Sequence, residues 1–136
     1  FNQQTTNIDT ISENLDSQLN INVIFTSQVE EGLDWIFEAP PKMNINEGRK
    51  YDVLFKAKNN TQLISTGTSV FNVLPPKIGP YLLKIECFCF LDQTINPGET
   101  VEFPVTFYID PLILDDPEAS RVKNVTLSYT FFDKKE

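Results

Sequence analysis

The chain has no histidine, two cysteines, one methionine and one tryptophan in 136 residues. Without histidine it cannot form a Ser–His–Asp triad, a two-histidine metal motif or a near-neutral imidazole base. Two cysteines alone fall short of the roughly four ligands that close a tetrahedral zinc site within one chain. We therefore read the chain as a non-enzyme. Basic residues are also scarce, 11 against 19 acidic, for a net charge of −8. That balance argues against nucleic acid and anionic membrane surfaces as partners, since both call for a basic face. No run of 18 apolar residues occurs, so no helix of this sequence is expected to span a bilayer. The length suits one domain with its own core, needing neither disulfide nor metal to fold.

The sequence opens at Phe1 without a methionine. We read this as a piece of a longer protein, with a signal or anchor upstream. Residues 1–18 are rich in Asn, Gln, Thr, Ser and Asp, and only Ile11, Leu15 and Leu19 recur at helical spacing. That composition suits a solvated juxtamembrane linker. Residues 19–136 form the folded domain.

From Asn20 onward the dominant period is two. Val101, Phe103, Val105, Phe107 and Ile109 alternate with Glu102, Pro104, Thr106 and Tyr108, as do Val125, Leu127, Tyr129 and Phe131 with Thr126, Ser128 and Thr130. This is the pattern of half-buried strands. Tyr51, Val53, Phe55 and Ala57 follow it, with shorter runs at Ile21, Val23 and Phe25 and at Trp35 and Phe37. The stretch 62–74 reads as a long strand with Gly67 as a bulge or bend. Asn96-Pro97-Gly98-Glu99 fits a type II turn, and Asn59-Asn60 suits a tight hairpin. Segment 110–123 reads as a loop with one helical turn. About seven to nine strands at this spacing predict an all-β, immunoglobulin-like antiparallel β-sandwich, with a barrel as the alternative.

Cys87 and Cys89 flank Phe88 and precede Phe90. On a strand, residues two apart share a face about 6.6 Å from one another, so both thiols point one way and both phenylalanines the other. A disulfide between them would be strained and easily reduced. Two readings of the pair stand. Free cysteines often act as small buried apolar side chains. Alternatively, two parallel thiols without imidazole suit Cu(I), which prefers sulfur and accepts two or three ligands. A thiol redox role lacks the helix N-terminus that usually activates such a pair.

Asn72-Val73, Pro75, Lys77, Gly79, Tyr81 and Lys84-Ile85-Glu86-Cys87-Phe88-Cys89-Phe90 closely resemble the CtaG family of cytochrome c oxidase assembly proteins. So do Asn96-Pro97-Gly98-Glu99, the stretch 104–111 and the stretch 126–132. The resemblance runs from about Asn20 to the end. It implies a single-pass membrane protein whose immunoglobulin-like domain faces the bacterial periplasm or the mitochondrial intermembrane space. It further implies delivery of Cu(I), received from an upstream donor protein, to the copper B centre of oxidase subunit I. Cys87 and Cys89 match the family's copper ligands, and a copper-bridged homodimer would surround the metal with four thiolates. The family pattern includes a further cysteine upstream that this sequence does not contain, and Ile78, Pro80 and Glu86 also depart from it. The alternative function is a metal-independent β-sandwich that docks to the oxidase during assembly.

Other candidates are weaker. Asp110, Asp115, Asp116 and Glu118 lack the spacing of a calcium loop and read as a solvated acidic loop. Asn59-Asn60-Thr61 and Asn124-Val125-Thr126 match glycosylation acceptors but are expected in a chain this rich in Asn and Thr. Met43 is a weak candidate for an auxiliary copper ligand, and Trp35 reads as core.

Overall fold

The structure, a computed structural model, describes residues 19–86 and 92–134. The stretch 1–18, read as a linker, lies outside the described residues. Among the described residues there are nine strands in two sheets. They are β1 (Ile21–Val29), β2 (Trp35–Glu38), β3 (Met43–Ile45), β4 (Lys50–Asn59), β5 (Ser65–Leu74), β6 (Leu82–Glu86), β7 (Asp92–Ile95), β8 (Thr100–Ile109) and β9 (Asn124–Asp133). One sheet has the order β3-β1-β9-β5-β7 and the other β2-β4-β8-β6. This is the expected all-β, immunoglobulin-like sandwich. One pairing departs from the antiparallel expectation: β1 and β9 run parallel, from Asn22↔Asn124 to Val29↔Phe131. The first and last strands of the domain thus lie side by side at the centre of one sheet.

The alternation places the core as expected. Phe103, Val105, Phe107 and Ile109 of β8 are buried, as are Val125, Leu127, Tyr129 and Phe131 of β9. Rings from opposite sheets meet at the midplane. Phe55 lies 4.8 Å from Tyr129 between centroids, Phe37 4.8 Å from Phe131, and Trp35 5.0 Å from Phe131. Such inclined pairs contribute about 0.5–1.5 kcal/mol each beyond the area they bury. Trp35 is core, as expected, although its indole Nε1 is buried without a hydrogen-bond partner among the described residues.

Two turn readings are corrected. Asn59-Asn60 is no hairpin, because β4 and β5 belong to different sheets and the 60–64 segment carries the chain from one to the other. Asn59 is wholly buried and braces that crossing. Its Nδ2 donates to the carbonyls of Leu63 and Ile95 (2.8 and 2.9 Å), and its Oδ1 accepts from the Thr61 amide and hydroxyl (2.9 and 2.7 Å). Gly67 is no bulge, since β5 keeps continuous register with β7 and β9 through it. It is small because a Cβ there would lie 2.9 Å from Trp35 Cη2 and 3.0 Å from Leu33 Cδ2. The 96–99 turn forms as predicted, with Gly98 at φ +74° and the Glu99 amide donating to the Asn96 carbonyl.

Candidate functional site

Strand β6 is the element that leads to the cysteines. The chain leaves β5, turns through a 3-10 segment at Pro76–Tyr81, and enters the other sheet at its edge. Two prolines in that turn limit its backbone freedom, and the fully buried Ile78 pins it to the core. Leu82 is buried opposite Ile109, Leu83 pairs with Tyr108, and Lys84 with Phe107. The register then shifts, so that Glu86 rather than Ile85 faces Thr106. Cys87 and Cys89 follow directly in sequence and lie outside the described residues, as does the side chain of Lys84.

The start of β6 is tied to the 110–121 segment by polar contacts that the sequence reading missed. The Asp110 amide donates to the Tyr81 carbonyl (2.8 Å). The Tyr81 hydroxyl donates to Asp116 Oδ2 (2.7 Å), and Asp116 Oδ1 accepts from the amides of Glu118 and Ala119 (2.9 and 3.1 Å). The Tyr81 hydrogen bond, these two amides and the nearby Lys77 charge hold the Asp116 carboxyl below its ordinary range. The same hydrogen bond, with partial burial and the Asp110 and Asp115 charges, pushes the Tyr81 hydroxyl up, so it remains protonated at neutral pH.

The acidic loop is therefore more structured than expected. It contains 3-10 turns at Pro111–Asp115 and Ala119–Arg121, with Asp110 capping the first through the Leu112 amide (3.0 Å). The carboxylates of Asp110 and Asp116 accept from backbone amides, and no group of three or more His, Cys, Asp or Glu positioned for a metal occurs among the described residues. Met43 lies on edge strand β3, partly buried against the core. Asn59 offers no glycan acceptor, since both ends of its amide are bonded inside the fold. Asn124 is exposed and accepts from Asn22 Nδ2 (3.2 Å).

The outer face of the four-stranded sheet carries an open groove of about 1000 Å³. Pro41, Leu54 and Pro104 line its apolar part, with Glu38 and Asp52 among its polar residues. It reaches Thr106, the residue opposite Glu86, and so borders the end of β6. Among the described residues no helix is long and apolar enough to cross a membrane.

Fold and site together define an immunoglobulin-like β-sandwich domain in which an edge strand runs into a Cys-Phe-Cys segment. The family model described as cytochrome c oxidase assembly protein CtaG/Cox11 matches residues 1–133. The cytochrome c oxidase assembly protein CtaG of Cereibacter sphaeroides is 42% identical over 114 residues, covering 83% of this chain and 60% of that protein. Its counterpart in Ehrlichia ruminantium is 38% identical over 128 residues, covering 93% and 72%. The chain belongs to the cytochrome c oxidase assembly protein CtaG/Cox11 family. It spans about 60% of the length of the Cereibacter relative. Among solved structures, a FixG-related protein from Vibrio parahaemolyticus overlaps 64% of this chain and 80% of its own, at a TM-score of 0.33 and 16% identity.

Proposed function

We propose that this domain is a copper(I) metallochaperone that serves cytochrome c oxidase assembly, with Cys87 and Cys89 as the metal ligands. The observation that carries the reading is the pair of cysteines two residues apart, in a chain without histidine that belongs to an oxidase-assembly family. Copper is cargo in this scheme. Two thiolates hold Cu(I) firmly enough to keep it from water, yet leave coordination positions open for an incoming ligand set. Transfer is then ligand exchange, with the thiols regaining protons as the metal departs. The recipient is the copper B centre of oxidase subunit I, and an upstream donor protein supplies the metal. A second copy would contribute its own pair, giving a copper-bridged homodimer with a fuller sulfur shell. The domain would work tethered by an upstream membrane helix, in the bacterial periplasm or the mitochondrial intermembrane space, without catalysing a reaction of its own.

Anaerobic titration of the reduced chain should saturate near about one Cu(I) per chain, and Cys87→Ser or Cys89→Ser should abolish that binding. Unchanged stoichiometry in the double serine variant would overturn the proposal. The groove beside β6 favours a second reading, a metal-independent docking domain, because it offers Leu54 and Pro104 on an outer sheet face. Under that reading the serine variants would keep their ability to support oxidase assembly.

A further inference from the structure

Leu63 and Ile64 are the most exposed large apolar residues among the described ones, at 75% and 65%. A single exposed leucine is ordinary, but two in succession at the turn between β4 and β5 make an apolar knuckle. The knuckle is held from within. Asn59 Nδ2 donates to the Leu63 carbonyl (2.8 Å), and the Leu63 amide donates to Thr61 Oγ1 (3.3 Å). Since Asn59 is wholly buried, the turn is fastened to the core, and covering these two side chains costs little further ordering of the backbone.

Beside the knuckle lies a groove of about 570 Å³. Leu63 and Ile64 line it together with Asp34, Asp92, Asp133 and Lys134. Lys134 Nζ is bonded to Asp92, so three carboxylates share one ammonium. The turn before β2 adds Glu30 and Glu31 at the same end: the Glu30 amide donates to the Phe131 carbonyl (3.0 Å), and Gly32 lies against Asp133.

This charge selects what can cover the knuckle. An anionic lipid surface would be repelled by the carboxylates, and so would the same end of a second copy. A protein surface with an apolar pocket and a neighbouring lysine or arginine matches both parts, the pocket taking Leu63 and Ile64 and the cation entering the groove. We propose that this end of the sandwich is a docking site for a partner protein of that chemistry, with Leu63 and Ile64 as its apolar anchors and Asp34 and Asp133 as its charge complement. The site rests on neither the copper reading nor the groove beside β6, and it stands or falls separately from both.

Ile64→p-benzoylphenylalanine, made in the full chain in its own cells, places a photoreactive group on the knuckle. Val70→p-benzoylphenylalanine, on the exposed face of β5, is the control. On irradiation the probe at 64 should join one protein that the control does not, through a peptide that carries apolar residues and a lysine or arginine. Asp34→Asn combined with Asp133→Asn, nearly identical in shape, should lower that yield about fivefold, the scale of two ion pairs at an interface rim. Leu63→Ser should lower it about tenfold, as loss of an apolar anchor does. Urea unfolding of the purified variants confirms that each is folded at the growth temperature. Capture alone does not suffice. The proposal is overturned by a probe at 64 that joins nothing beyond the control, that joins lipid or a second copy of the chain, or that joins a peptide without a basic residue. A yield unchanged by the two asparagine substitutions overturns it equally.

Discussion

The two ends of the sandwich are closed by polar networks of opposite character. Beside Thr100, where β4 ends and β8 begins, Asn59 is fully buried and spends its whole amide inside the fold. Beside Ile109, where β8 ends and β6 begins, Tyr81 and Asp116 are only partly covered and one of them carries a charge. A buried neutral network is costly to damage, because a carbonyl left without a donor cannot turn to water. A half-exposed charged link costs little to lose, since solvent replaces it, but while formed it fixes a direction. The first end therefore holds the domain together. The second ties the start of β6 to the 110–121 segment.

The contrast would break first at the buried end. Asn59→Ala strips the donor from the Ile95 carbonyl and the acceptor from Thr61, and should cost about 3 kcal/mol in urea unfolding. A loss below about 1 kcal/mol would mean that water reaches this site and the two ends do not differ. Gly67→Ala should follow, at about 1–3 kcal/mol, because the added methyl would meet the edge of the buried Trp35 indole at 2.9 Å. If that variant were as stable as the parent, Trp35 would be free to shift.

These two residues also show where sequence reading stops. The strands themselves were legible, because a period of two in 101–109 and 124–133 reflects one wet and one dry face. Asn59 looked like a turn residue, and it does end a strand. Asparagine favours turns for local reasons, whereas the choice between a hairpin and a crossing to the other sheet depends on partners far away in sequence. Gly67 signalled an irregular strand, but the cause is an indole 32 positions earlier in the chain. The parallel pairing of β1 with β9 joins Asn22 to Asn124, beyond the reach of any local pattern. The candidate site divides differently. Cys87 and Cys89 are proposed from spacing and resemblance alone and lie outside the described residues, while the Tyr81–Asp116 link was invisible as spacing and emerged from the fold.

The smallest expected effect lies at the charged end and is a matter of pH. Asp116 is held below its ordinary value of 3.8, first by the Tyr81 hydroxyl, then by the Ala119 and Glu118 amides, and last by Lys77. A carboxyl with a depressed folded-state value binds fewer protons than it does in the unfolded chain within the interval between the two values. Stability therefore rises with pH across that interval. The contribution of Asp116 is complete above the unfolded value and disappears as the pH falls through the lower folded one. Urea midpoints of the parent and of Asp116→Asn should accordingly run parallel from neutral pH down to the ordinary carboxylate range and converge only at more acid pH. No such convergence is expected for Asn59→Ala, since the amide it removes does not titrate. Convergence of the Asp116→Asn curve already near neutral pH would show that the carboxylate is not held by Tyr81, and that the end of the sandwich at the start of β6 is no more fixed than an ordinary solvated loop.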